Sequence, residues 1–594
     1  MKKTLFATLA FSALATVSAF AQTFNPRVEV ENTYEGKIVE AGKNTIPMSV
    51  PDSVYKFQYK LDYSVFDNPF RGSYQFRPYK IEMKPDAAPS QARRLFVSLG
   101  AGWSLHPEAD IVWSPVFRTQ PVKMSIYDHF RGFWGNYGRM PYGDDFMILS
   151  RPTRPARGYV FDNKVGTNVR FEFNKVALEF DGGYRAFLSN DTLSNHFLQR
   201  GEAEIRLLPL DPNKADYFYG GRVYVKAGQD RLYSLMSDRH KLGVNDMGAD
   251  LLFGAPLGGG SRILLDLGIE SEIYSGMLEA VATRAWATPR YAVRWNSGSA
   301  ELGVKVSFLK GSDNNESHSS IIRVTPGMFQ HKSDMVYPAV QVKQYLVPDH
   351  LAIYARAVGG DELNDYVDRL RSNPFFDPAA VLDNLDSSSE RVNASAGFVG
   401  NVAGRLEFDV HGGYAILHNW QVECVDFVDR YYSSPAEGWK GHYLSSYYNY
   451  VDFNQWYADL SFLWKSPRLD VDGHFLFKDT DLHSREYYGI APSRFSGELK
   501  ATYNWNRQAF AGVSVEAASR REGLALISFS TSGRLDKVIS VPGWVDLGLH
   551  GRYMINPHWT VWAKAGNLLG QSVQHYFLRP EKGPYGTLGI TFNL

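Results

Sequence analysis

Oily and polar residues exchange places every second position over much of this chain. In a strand, successive side chains point to opposite faces, so such alternation predicts a strand with one oily and one polar face. From Arg93 onward the pattern recurs in stretch after stretch. Val169, Phe171 and Phe173 oppose Asn168, Arg170, Glu172 and Asn174. Ala203, Ile205 and Leu207 oppose Glu202, Glu204 and Arg206, and Leu302, Val304, Val306 and Phe308 oppose Glu301, Lys305 and Ser307. Near the end, Trp456, Ala458, Leu460, Phe462 and Trp464 share a face, and Leu469, Val471, Phe475 and Phe477 share the next. Tight turns fall at Lys465–Arg468 and at Asn556–His558, with Pro in each.

Other connections are long and polar, at 135–158, 311–320, 361–390, 433–445 and 479–494. Short turns at one end and long loops at the other are the asymmetry of a membrane β-barrel. The strands run to about ten residues or more, the length of a tilted membrane crossing. Trp456 and Trp464 sit at the ends of one oily face, where the bilayer interfaces fall. The pattern predicts an all-β protein, a transmembrane antiparallel β-barrel of about 22 strands over residues 93–594.

The last ten residues carry the reading furthest. Leu588, Ile590, Phe592 and Leu594 form one face, and Thr587, Gly589, Thr591 and Asn593 form the other. An exposed oily edge strand invites aggregation in water. A strand that closes a barrel turns that face to lipid, so these four residues are expected to face the bilayer.

The N-terminus sets the compartment. Lys2 and Lys3 precede an apolar run from Leu5 to about Val17, and Ala19-Phe20-Ala21 is a small-x-small cleavage site. Residues 1–21 are expected to be a secretory signal peptide, cut between Ala21 and Gln22. Residues 22–92 have a different texture. Tyr55, Phe57, Tyr59, Leu61 and Tyr63 suggest a single strand, and KPDAAPSQARR closes the stretch as a linker. They are expected to form a periplasmic segment or one that tucks into the barrel mouth, the alternative being a few extra strands.

Composition narrows the function. The formal net charge is +0, with 63 basic and 63 acidic residues, which argues against a nucleic-acid partner. One cysteine, Cys424, excludes an intramolecular disulfide and any multi-cysteine metal site. Mean hydropathy is −0.29, and past the signal no apolar run is long enough for a spanning helix. The 14% aromatic content suits interfacial girdles.

Chemistry-bearing constellations are few. Asp144 and Asp145 can offer oxygens to Ca²⁺, but charged loop tips are ordinarily only solvated. Asp128 and His129 stand together, yet in an alternating strand they face opposite sides. Cys424 beside Glu423 has the character of a passive small residue. No GxSxG elbow, Walker loop or HExxH pair is present. No enzymatic activity, cofactor or metal is expected.

AKAGNLLGQ at 563–571 and the closing GPYGTLGITFNL resemble the end of TonB-dependent receptors, in particular those of Bacteroidota. In that family the penultimate strand carries an Asn-Leu pair, matched here by Asn567 and Leu568. Gly583, Pro584 and Tyr585 match the following turn only in part, and the family's Arg is missing. The resemblance implies a large receptor-type barrel in the cell outer membrane. Such receptors fill the lumen with a plug, whereas residues 22–92 are short for a full one and carry no convincing TonB box. Energised import therefore does not follow from the resemblance.

Three functions are expected to compete: passage of solute across the outer membrane, a structural or accessory subunit of an outer-membrane assembly, secretion or export complex, and, last, an outer-membrane enzyme, for which no motif speaks. The expected partners are outer-membrane lipid and lipopolysaccharide, the barrel-assembly machinery that inserts such proteins, and further outer-membrane or lipoprotein subunits.

Overall fold

The computed structural model describes residues 94–594 apart from 104, 116, 118–121, 140–153, 191–193, 211–216, 235–236, 314–330, 349, 377–384, 429–442, 484–488, 507 and 530–532. The signal peptide, the segment 22–92 and the Asp144–Asp145 pair therefore lie outside the described residues.

The first strands are β1 (Leu95–Trp103), β2 (Glu108–Trp113), β3 (Val122–Arg139), β4 (Arg154–Glu172), β5 (Val176–Asn190), β6 (Ser194–Pro209) and β7 (Phe218–Ser234). Then come β8 (Ser237–Gly258), β9 (Ser261–Gly276), β10 (Ala280–Trp295), β11 (Gly298–Asp313), β12 (Val336–Val347) and β13 (Leu351–Glu362). A helix, α1 (Tyr366–Ser372), separates β13 from β14 (Ser388–Val402). The chain continues through β15 (Leu406–Val428), β16 (Tyr443–Lys465), β17 (Leu469–Thr480), β18 (Gly489–Ile490), β19 (Phe495–Asn504) and β20 (Ala509–Ala518). It ends with β21 (Arg521–Phe529), β22 (Gly533–Val541), β23 (Trp544–Met554), β24 (Trp559–Gly566), β25 (Ser572–Tyr576), β26 (Arg579–Lys582) and β27 (Tyr585–Asn593).

Twenty-two of these strands close a ring by antiparallel neighbour pairing. β18, β21 and β22 form a small separate sheet, and β25–β26 is a hairpin standing off the ring between β24 and β27. The transmembrane barrel read from the alternation is thus the fold observed, with the strand number as expected. Among the described residues no helix is long and apolar enough to cross a membrane; the crossing is made by strands.

Closure occurs where the last strand meets the first. Val97 lies opposite Phe592 and Leu99 opposite Ile590, while β27 pairs on its other side with β24. On the inner face the seam is polar: Ser98 Oγ lies 3.0 Å from Thr591 Oγ1, and the Trp562 indole N–H donates to Ser98 Oγ at 3.2 Å. A Cβ on Gly589 or Gly100 would stand 2.1 or 2.3 Å from the Trp562 ring. That explains the small residue at position 589 in the last strand: the indole lies across it.

The outward faces carry the oily residues. Ile205, Val223, Leu251, Ile269, Leu302, Phe308, Phe398, Trp456, Leu549 and Leu588 are all exposed, and they come from strands all round the ring. Water would make this belt costly, at about 25 cal/mol per Å² of apolar surface, and a bilayer covers it. The inward faces carry the charges, and adjacent strands neutralise one another. Arg222 pairs with Asp250 at 2.7 Å, Lys226 with Asp246 at 2.7 Å, Arg284 with Glu270 at 2.7 Å and Arg290 with Glu301 at 2.9 Å. The two tight turns fall where their residues place them, between β16 and β17 and between β23 and β24. The 135–158 loop is shorter than its composition suggests, because β3 and β4 extend into it and pair up to Arg139 with Arg154.

Candidate functional site

Both described chain ends, at Arg94 and Leu594, meet at the short-turn end of the barrel, where the Arg94 amide donates to the Leu594 carbonyl. The long connections all leave from the other end, which by the usual asymmetry is the outer mouth. Its most distinctive element is the first part of the connection between β13 and β14, Leu363–Phe376. This segment does not stand out into water. It crosses the mouth.

The local sequence explains why it is ordered. Asp365 caps α1, its carboxylate accepting the Val367 N–H at 2.8 Å. Asp368 sits in the first turn and Arg369 and Arg371 in the last, both favourable to the helix dipole. Asn373 and Pro374 end the helix, and its Asn373 amide donates back to the Arg369 carbonyl at 2.9 Å. Tyr366, Val367 and Leu370 are wholly buried, as are Phe375 and Phe376 just after the helix. A seven-residue helix has little stability of its own, so what orders it is this burial, at roughly 1.5–3 kcal/mol for each large apolar side chain.

One side of the segment is bolted to β5, β6 and β7. Tyr366 Oη donates to Asp230 Oδ2 at 2.7 Å, and His196 Nδ1 lies 2.9 Å from the same oxygen. The His196 ring lies 4.8 Å from that of Phe376, and Ser189 Oγ donates to the Pro374 carbonyl at 2.6 Å. His196 and Asp230 are buried, so each of these bonds satisfies groups that would otherwise be costly to desolvate.

The other side reaches β16. Ser372 Oγ lies 3.0 Å from Tyr448 Oη, and the Asn373 side-chain amide donates to Ser446 Oγ at 2.9 Å. The Arg369 guanidinium contacts Tyr450 Oη and lies over the rings of Tyr448 and Tyr450, at 5.6 and 5.4 Å. Burial holds the Arg369 pKa below its ordinary value, against the pull of Tyr274, Tyr448 and nearby acids. Counted round the ring of 22, β16 is nine strands from β7, close to the half-turn that separates opposite walls. The segment is therefore a bar across the lumen.

Two further elements brace the bar. The β25–β26 hairpin meets it where the Tyr576 ring approaches Phe375 at 5.8 Å, with the Arg579 guanidinium over Phe375 at 5.8 Å. β26 then pairs with β3 at Glu581–Tyr137, arching past β27, β1 and β2. At the root of the bar, Asp361 accepts hydrogen bonds from Tyr337, from Ser333 at 2.6 Å and from Ser389 at 2.5 Å. Asn364 donates to the Asp386 carbonyl at 2.7 Å and to Ser388 Oγ at 2.8 Å, joining the two arms of the connection. Lumen-facing residues near the outer ends of β3 to β10, together with Tyr448, form one continuous apolar cluster with α1.

The residues singled out from sequence fall elsewhere. Leu588 and Ile590 are exposed on the outer face of β27, Phe592 is half-buried there with its ring 4.7 Å from that of Trp559, and Leu594 is exposed just past the strand's end. Asn567 ends β24 in the left-handed region, φ +48°, a conformation Asn adopts more readily than most residues. Its backbone N–H donates to Asp546 and its side-chain amide to the Gln571 carbonyl at 2.8 Å, while the Leu568 N–H donates to the Leu547 carbonyl at 3.0 Å. The Asn-Leu pair is thus a turn device at the end of a strand, and the two residues take no part in the bar. Glu202 and Glu204 line the lumen, Glu202 beside Arg200 at 3.0 Å and Lys164 at 3.3 Å. Cys424 is buried on β15 among Leu417, Val422 and Phe453. His129 faces the lumen, with Nδ1 at 2.9 Å from Asp110, and Asp128 faces outward. Among the described residues, no three His, Cys, Asp or Glu side chains gather as metal ligands do.

Sequence reasoning took 361–390 for a polar loop and missed the bar. A signal was present: a capping Asp365, apolar Val367 and Leu370 three apart, acids early, bases late, and Pro374 after.

No protein-family model and no curated protein sequence matches the chain. Solved structures match its fold. The copper transporter OprC matches at 12% identity and TM-score 0.56, covering 84% of this chain and 80% of OprC. The pyoverdine outer membrane receptor FpvA from Pseudomonas aeruginosa PAO1 matches at 11% identity and TM-score 0.58, over 84% and 78%. The siderophore receptor PiuA from Acinetobacter baumannii matches at 9% identity and TM-score 0.57, over 84% and 82%. These neighbours are TonB-dependent outer-membrane receptors, so the likeness read in the last strands extends to the whole barrel fold. A closed barrel of this size with an apolar belt is an outer-membrane protein.

Proposed function

We propose that this barrel passes a solute across the outer membrane through a lumen kept shut at its outer mouth by its own loops. The observation that carries the reading is the bar Leu363–Phe376, held to β6–β7 on one side and β16 on the other. A bare 22-strand lumen would leak, and barrels of this size in transport are plugged. Here the described residues place an obstruction in the barrel domain itself. The fold likeness to transport receptors agrees with a conduit. The paired charges of the lumen wall suit a polar solute without strong preference for either sign.

The test is planar-bilayer recording of the mature protein beside a variant in which 364–386 is replaced by a short Gly-Ser linker. The wild type is expected to be nearly silent and the variant to show large steady currents. A large steady current from the wild type, or silence from the linker variant both with and without residues 22–92, would rule the reading out.

A further inference from the structure

We propose that the outer wall at β2–β4 is a docking face for a membrane-embedded partner protein that presents a Lys or Arg side chain at mid-bilayer. The face is organised by Asp128. Along β3, Ser125, Tyr127 and His129 turn inward, and Ile126, Asp128 and Phe130 turn outward. Asp128 lies between Ile111 of β2 and Val165 of β4, both exposed to the belt. It is an ionisable residue on the face that meets lipid.

Its depth follows from the register. Trp559, Phe592, Val97, Ile111 and Asp128 form one hydrogen-bonded row running from β24 to β3. Strands about 4.8 Å apart and tilted by about 40° raise such a row by about 3 Å per strand. Asp128 thus stands about 12 Å above Trp559, which opens β24 at the short-turn end. Trp134, six residues further along β3, is about 15 Å higher still at about 2.5 Å of height per residue. Both indoles are exposed on the outer face, at 41% and 56%. The apolar band is about 25 Å tall between such girdles, so Asp128 is near its middle.

The face also shows what it lacks. Asp128 is half-exposed on this face, and among the described residues no cation pairs with it; its Oδ1, enclosed by the chain's own atoms, has no hydrogen-bond partner, which leaves the exposed part of the carboxylate to meet whatever covers the face. An intramembrane carboxylate is expensive unless paired, and the missing element is a donor of positive charge. Lipid headgroups lie too far from mid-band to supply it. A second copy docking through the same face would bring another Asp128 to the contact. Trp113, opposite Ile126 on β2, stands beside the site as an exposed aromatic anchor of the kind that carries interface energy.

The test places a photo-reactive amino acid at position 126 in the intact outer membrane, with position 398 on the opposite wall as control. Support requires one discrete protein adduct at 126 and none at 398. Its yield should drop about tenfold or more in Asp128→Leu and in Asp128→Asn, the loss expected for one charge-assisted hydrogen bond, and persist in Asp128→Glu. Heat-modified gel migration confirms that each variant barrel is assembled, and Asp128→Asn decides if Asp128→Leu does not assemble. Lipid adducts alone, an adduct between two copies of this chain, or an adduct indifferent to Asp128→Asn would each overturn the proposal.

Discussion

Phe376 tests the bar with one side chain. It is fully buried, with its ring 4.8 Å from His196, 5.7 Å from Tyr366 and 6.2 Å from Tyr448. It therefore packs against both walls. Phe376→Ala removes a buried ring and leaves a cavity, at a cost of about 3–5 kcal/mol. The cost falls on the closed state, since a displaced bar exposes residue 376 either way. At about 1.4 kcal/mol per factor of ten, the closed-to-open ratio should fall roughly 10²- to 10³-fold or somewhat more. The ring of barrel strands is untouched, so assembly should be normal. The assay is open probability in single-channel recording, with Asp368→Ala as control, because the Asp368 side chain is 72% exposed on the same helix. Rare brief openings in the wild type should become frequent in Phe376→Ala and stay rare in Asp368→Ala. An assembled Phe376→Ala barrel with wild-type open probability would refute the argument that this packing holds the mouth shut.

Other consequences follow from the same geometry. Burial, reinforced by Asp368, raises the Asp365 pKa above the usual carboxylate value, against Arg200 and Lys226. A raised pKa in the closed state means that closure takes up a proton, so closure should strengthen as pH falls and weaken as pH rises through the raised value. Asp365→Asn keeps a capping side chain without the charge, so at pH 7 it should lower open probability; a rise would show the carboxylate to be stabilising. Asn567→Ala should lower the heat stability of the barrel by about 1–2 kcal/mol, because the side-chain bond to the Gln571 carbonyl is lost and Ala fits the left-handed region less well than Asn, whereas Asn567→Gly should lose less. Phe592→Asp places a charge on the outer face of the closing strand and should reduce assembled barrel by heat-modified migration, the cost at mid-bilayer being about 2–4 kcal/mol for Arg or Lys and less for Asp; normal assembly would show that this face does not meet lipid.

How much of this was legible depends on the range of the forces involved. Alternation is a local property, fixed by the strand itself, and so the inward Glu202 and Arg206, the outward Leu302 and Phe308, and the turns at Lys465 and Asn556 could be read residue by residue. The opposite facing of Asp128 and His129 came from the same rule. Depth did not. It is the sum of small rises across neighbouring strands, and it needs the register of β24, β27, β1 and β2 before Asp128 can be placed midway between Trp559 and Trp134. Inward folding was hidden for a related reason. A loop in water and a loop across a lumen share Asp, Asn, Ser and Pro, and they differ in partners supplied from afar: Tyr366 finds Asp230 136 positions earlier, and Ser372 finds Tyr448 76 positions later. The helix signals around Asp365 were local and readable; the lumen that gave the helix its burial was not. The β25–β26 hairpin repeats the lesson, since its four-residue strand β26 contacts β3 at the far end of the chain. The part of this protein that local pattern specifies is the wall, and the part that decides whether the wall conducts is made by contacts between residues far apart in sequence.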